Sequence, residues 1–202
     1  MHDRITSWLL LLVVCAPVAC AGPTYVRGSE MKELDEYAMS TGLDRADLDK
    51  LFDQNWGALA EAGIYGRWQA GAESGKVPSV AVFPFTNETS EHVESQLDAL
   101  LAKVETRLVN SGFLDVISRD RQKELVEELR TQTSAAFDPS KAAQLGRQLG
   151  AKYFVTGKVY DSAERTDGER RVQYFLFMQV VEVETGGIRW QNEAKLTKGL
   201  VN

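Results

Sequence analysis

The sequence predicts an α/β fold, a mixed sheet of four to five strands with helices packed mainly on one face. Three observations predict it. The hydrophobic periods from residue 79 to 196 read in the order β-α-β-α-α-β-β-β, alternating at first and strand-only at the end. The segment Val172–Val183 (VQYFLFMQVVEV) is apolar on both faces at Phe175–Met178 and so belongs inside a sheet. Thr185-Gly186-Gly187 then turns the chain into Ile188–Leu196, which alternates as a half-exposed hairpin partner does.

Along the chain, residues 1–20 (MHDRITSWLLLLVVCAPVAC) hold a short polar start with Arg4, then an apolar run from Trp8 to Ala16. That run is about half of the ~20 residues a helix needs to cross a bilayer, so residues 1–19 are expected to be an export signal. Val18-Ala19-Cys20 matches the end of a bacterial lipobox, which makes Cys20 the expected lipidation site. Pro17 departs from the pattern, where an aliphatic residue is usual. Cleavage at Ala19-Cys20-Ala21, an A-x-A site, is the alternative and would release a soluble chain. Residues 20–43 are polar and mixed in charge, a tether by composition.

Residues 44–76 are expected to be one helix and a loop. Asp44 can cap, Asp47 stands in the first turn, and Leu48, Leu51, Phe52, Asn55, Trp56 and Leu59 follow at spacings of three and four. Four glycines between Gly63 and Gly75 predict the loop over 63–77. Gly71-Ala72-Glu73-Ser74-Gly75-Lys76 is not a phosphate loop, because three residues separate its glycines and Val77 replaces Ser/Thr. Asp47-Leu48-Asp49 lacks the glycine and the twelfth-position Glu of a calcium loop.

The α/β domain is expected over 77–202. Ser79–Phe85 reads as a buried strand closed by Pro84, and Asn87–Ser90 as a turn. A long helix follows with Val93, Leu97, Leu100, Leu101, Val104 and Leu108 on one face, stopped by Gly112. Leu114–Ser118 reads as a strand and Arg121–Arg130 as a charged helix. Asp138-Pro139 opens a third helix that ends at Gly150. Tyr153–Tyr160 is the next strand. In the last one, Ile188, Trp190, Ala194 and Leu196 point inward, and Arg189, Gln191, Glu193 and Lys195 outward.

Composition limits the chemistry. Acids number 29 against 23 bases, a net charge of −6, which disfavours a general nucleic-acid binder. Both cysteines, Cys15 and Cys20, lie in the signal region, and one of the two histidines is His2. A mature chain would keep Cys20 and His92, too few for a disulfide framework, a zinc cage or a Cys/His dyad. No nucleophile motif accompanies His92, and Glu127-Glu128 reads as a solvated helix face. No catalytic, cofactor or metal site is expected, nor a small-molecule substrate. Arg165, Arg170, Arg171, Lys195 and Lys198 gather around the last strands, as a solvated rim or as a patch for an anionic partner.

Three stretches carry a resemblance: Ser79–Val93 (SVAVFPFTNETSEHV), Ala142–Val159 (AAQLGRQLGAKYFVTGKV) and Val172–Lys195 with its ETGGIRW turn. Together they resemble the LpoB family, outer-membrane lipoproteins that activate a bifunctional penicillin-binding protein. Pieces also resemble the curli-secretion channel CsgG and the N-terminal domain of TolB. The resemblance implies a TolB N-terminal/LpoB-like periplasmic domain that activates a peptidoglycan synthase by contact, without catalysis of its own. It also implies a lipid anchor in the outer membrane, facing the periplasm, and Ala21 rather than Asp after Cys20 fits that destination. A CsgG-like component of an outer-membrane secretion complex is the alternative. Enterobacterial members carry a Pro-rich spacer, whereas residues 21–78 here hold only Pro23 and Pro78.

Overall fold

The computed structural model describes residues 37–38, 40–118, 147–166 and 169–200, with the backbone alone at 164–166 and 169–170. Cys20, the expected signal, Glu127-Glu128 and most of the two helices expected over 121–149 lie outside the described residues. Ala38–Asn202 forms one compact unit.

Helix α1 spans Arg45–Ala60. Its start is a reciprocal capping box. The Asp47 N–H donates to Asp44 Oδ1 at 3.0 Å and the Asp44 N–H to Asp47 Oδ2 at 3.1 Å, satisfying donors that a helix start leaves open. The expected stripe is buried at Leu48, Leu51, Phe52, Asn55 and Leu59.

Residues 63–77 are not the expected loop, because Gly63–Glu73 forms helix α2. Ile64 and Trp68, four residues apart, are both 1% exposed, and their burial outweighs the low helix propensity of Gly63, Gly66 and Gly71. Tyr65 meets Phe113 edge-on at 4.9 Å, and Trp68 lies 5.6 Å from Tyr153. Both helices thus share the hydrophobic core of the sheet, so a boundary at 77 does not separate residues 44–76 from the domain.

The strand expected over Ser79–Phe85 ends early, as β1 (Ser79–Val82), and a separate β2 (Thr86–Glu88) takes up part of the turn expected at Asn87–Ser90. Pro84 lacks the N–H needed to continue the ladder between them. The turn persists through Asn87, whose Oδ1 accepts from the Thr89 N–H. Helix α3 (Glu94–Asn110) buries Leu97, Leu100, Leu101, Val104 and Leu108, and Gly112, at φ +77°, follows it. β3 is Asp115–Ile117. The segment 147–149 is helical and ends at Gly150, φ +71°, as its sequence predicts.

β4 (Tyr153–Thr166), β5 (Glu169–Glu182) and β6 (Ile188–Leu200) are longer than expected. The six-stranded sheet has the order β3-β1-β4-β5-β6, with β2 also paired to β4. β1, β2 and β3 pair parallel, while β4, β5 and β6 form an antiparallel meander. The architecture is the expected mixed α/β sheet, with one strand more than the range foreseen.

Register sorts the faces. Val80, Val82, Val155, Val159, Leu176, Met178, Val180 and Ala194 join the core shared with α1, α2 and α3. On the opposite face, Ala81, Phe83, Ile117, Phe154 and Val181 form a smaller core with Leu149 and Ala151. Ile188 is a correction: it is 56% exposed rather than inward. A bulge shifts the register between Val180↔Trp190 and Val181↔Ile188, leaving Arg189 as the extra residue and re-aiming the start of β6.

Candidate interaction surface

The residues that sequence reading singled out for chemistry do not come together. His92 is exposed just before α3. Among the described residues, no three His, Cys, Asp or Glu side chains are grouped to hold a metal ion. No described helix is long and apolar enough to cross a membrane.

The basic cluster divides. Arg171 and Lys195 are exposed, the side chains of Arg165 and Arg170 lie outside the described residues, and Lys198 turns inward. Its side chain is 4% exposed, so it is part of neither a rim nor a patch. The ammonium donates to Asp47 Oδ2 at 2.7 Å, Asp44 Oδ2 at 2.9 Å and the Gly42 carbonyl at 2.7 Å, which uses all three of its protons. Beside it the Tyr174 hydroxyl donates to the Thr41 carbonyl at 2.9 Å. Burial alone would lower the Lys198 pKa, but the hydrogen bonds and charges of Asp47 and Asp44 outweigh it and hold it above its ordinary value. Partial burial pushes the Asp44 carboxyl up. The Asp47 backbone N–H and the Lys198 ammonium more than reverse that, leaving it below its ordinary value.

A second polar junction lies deeper. Asn55, fully buried on α1, donates through Nδ2 to the Leu51 carbonyl at 3.2 Å and the Leu176 carbonyl at 2.9 Å. Its Oδ1 accepts from Asn192 Nδ2 at 3.0 Å. The helix is thereby fixed in register on β5 and β6.

The face of β4–β6 turned away from these helices carries Lys158, Tyr160, Phe175, Phe177, Glu193 and Lys195. Tyr160 and Phe175 stack at 5.0 Å with an interplanar angle of 13°. Lys158 stands 5.3 Å from the Tyr160 ring centre and pairs with Glu88 at 3.0 Å. The Tyr160 hydroxyl donates to Glu193. Loss of solvent and the adjacent Glu193 carboxylate disfavour the phenolate, so the Tyr160 pKa is pushed up to about 12. This is a semi-polar surface of stacked rings and paired charges. Sequence reading placed Phe175 and Phe177 inside the sheet but did not foresee that this end of the face carries no described element.

A model of the peptidoglycan-synthase activator LpoB matches residues 47–196. The LpoB C-terminal domain from Salmonella enterica superposes with a TM-score of 0.50 at 19% identity, covering 74% of this chain and 98% of that one. The LpoB C-terminal domain from Escherichia coli, also 19% identical, gives 0.46 over 60% of this chain and 84% of its own. Lipoprotein GNA1162 from Neisseria meningitidis gives 0.41 at 16% identity, over 60% and 83%. No curated protein sequence matches the chain. With its family model spanning most of the sequence, the chain belongs to the LpoB family of peptidoglycan-synthase activators.

Proposed function

We propose that this protein is an outer-membrane lipoprotein that binds a bifunctional penicillin-binding protein and raises its peptidoglycan-synthesising activity by contact alone. The family match over residues 47–196 carries the reading. An activator of this kind needs no catalytic group. It shifts its partner toward the active conformation by binding that conformation more tightly than the resting one. Residues 1–19 direct export, acyl chains on Cys20 hold the chain at the inner leaflet of the outer membrane, and residues 20–43 lead to the periplasmic domain. More than one acyl chain makes such an anchor stable.

The test is reconstitution. Purified protein added to a candidate synthase should accelerate glycan polymerisation and peptide crosslinking, and envelope crosslinking should recover the same synthase. Failure of both with every bifunctional synthase of the organism would refute the proposal. Mass spectrometry of the mature N-terminus should show an acylated Cys20. Cys20→Ala should leave the protein out of the membrane fraction while the soluble form still stimulates the synthase.

A further inference from the structure

Among the described residues β6 lies at the end of the strand order and pairs only with β5, so its other edge presents backbone donors and acceptors with no described partner over a 13-residue strand. Both ends of that edge are blunted. The bulge at Arg189 bends the start of the strand, and near the finish Lys198 points inward, held under Asp47. The stretch between them, Gln191 to Thr197, has neither device.

Its side chains decide what can pair there. In an antiparallel pairing of this stretch with itself, a two-fold axis at Ala194 sets Glu193 against Lys195 of the second copy, and Lys195 against its Glu193. Gln191 then meets Thr197, and the small Ala194 meets itself. Sliding the register by two residues puts Glu193 against Glu193 or Lys195 against Lys195, like charges directly opposed. Both residues are exposed, and Lys195 makes no ion pair among the described residues. Glu193 uses its Oε2 for Tyr160 and keeps Oε1.

We propose that the free edge of β6 is a self-association site, joining two copies antiparallel through residues 191–197 with Ala194 at the two-fold. The contact is isologous and closes after two copies. It extends the sheet across the pair, and the backbone groups of one edge satisfy those of the other.

Sedimentation of the full chain in detergent over a concentration series tests this. The expected result is a monomer–dimer equilibrium. Two ion pairs turned into like-charge pairs should weaken it about tenfold or more in Lys195→Glu and in Glu193→Lys, and the double reversal should restore it. Amide exchange at residues 191–197 should slow as concentration rises, and this readout needs no variant. A monomer throughout, or a dimer that neither reversal weakens, would overturn the proposal. So would slowed exchange in this stretch only when a synthase is added, which would assign the edge to that partner.

Discussion

Lys198 is the residue on which the start of the domain depends. Three oxygens surround its ammonium, and the Asp47 side chain against it is 7% exposed. Lys198→Met should lower stability by about 3–5 kcal/mol in urea denaturation, because a buried carboxylate loses its counter-charge. Asp47→Leu in the same chain should recover part of that loss. The pH response follows from the directions of the shifts. Asp44 is depressed, so its contribution is present above its ordinary 3.8 and disappears as pH falls through the lower folded value. Lys198 is raised, so its contribution is complete below 10.5 and disappears only as pH climbs through the higher folded value. The contribution of this pair should therefore be constant between these limits, as the difference in melting between the native chain and Lys198→Met across pH would show. Tyr160 gives a separate signal. In a spectrophotometric titration Tyr160 should ionise near pH 12, and Tyr160→Phe should remove one tyrosine's absorbance change from that late region. Sequence parity contained the clue to Lys198: counting by two from Ala194 and Leu196 reaches it. A lysine among other bases reads as solvated, because only the fold shows that Asp44 and Asp47 lie above that position.

At the scale of elements, packing decides where local propensity hesitates. Helix α1 and its cap were legible because Asp44, Asp47 and the stripe through Leu59 agree with one another. Helix α2 was not, since its glycines argue for a loop and only Ile64 and Trp68 argue otherwise. Trp68→Ala should cost about 3–5 kcal/mol, as core aromatic truncations do, and the loss would be read as a lower melting temperature. The strand ends were misjudged for a related reason. The bulge that exposes Ile188 adds one residue that strict alternation cannot anticipate. Close approach controls β4 in its middle. A Cβ on Gly157 would lie 2.4 Å from the Phe177 carbonyl oxygen and 3.1 Å from the Phe85 ring. Gly157→Ala should therefore destabilise by about 1–3 kcal/mol, the range for overpacking, with a lowered urea midpoint as the measure. The face of β4–β6 turned away from the helices was only half legible. Alternation assigns Glu193 and Lys195 outward, but the Tyr160–Phe175 stack joins strands whose register no single sequence supplies.

For the whole molecule, the compact unit begins well before residue 77. A chain cut to start there would lack Leu48, Leu51, Phe52, Leu59, Ile64 and Trp68, and with them the cover over β5 and β6. It should lose its cooperative thermal transition, whereas a chain starting at Ala38 should keep it. With the proposed anchor at Cys20, the reach is set by the chain before that unit. Roughly twenty residues separate Cys20 from the first clamped carbonyl, and they extend at most about 70 Å. The clamp also has a mechanical consequence. Tension applied from the N-terminal side meets Tyr174 at Thr41 and Lys198 at Gly42, both before α1 begins. Tyr174 and Lys198 stand on neighbouring strands bonded along their length, so the pull spreads into the sheet. The first turn of α1 is held to the same ammonium through Asp44 and Asp47, so it should stay wound while the domain is drawn taut.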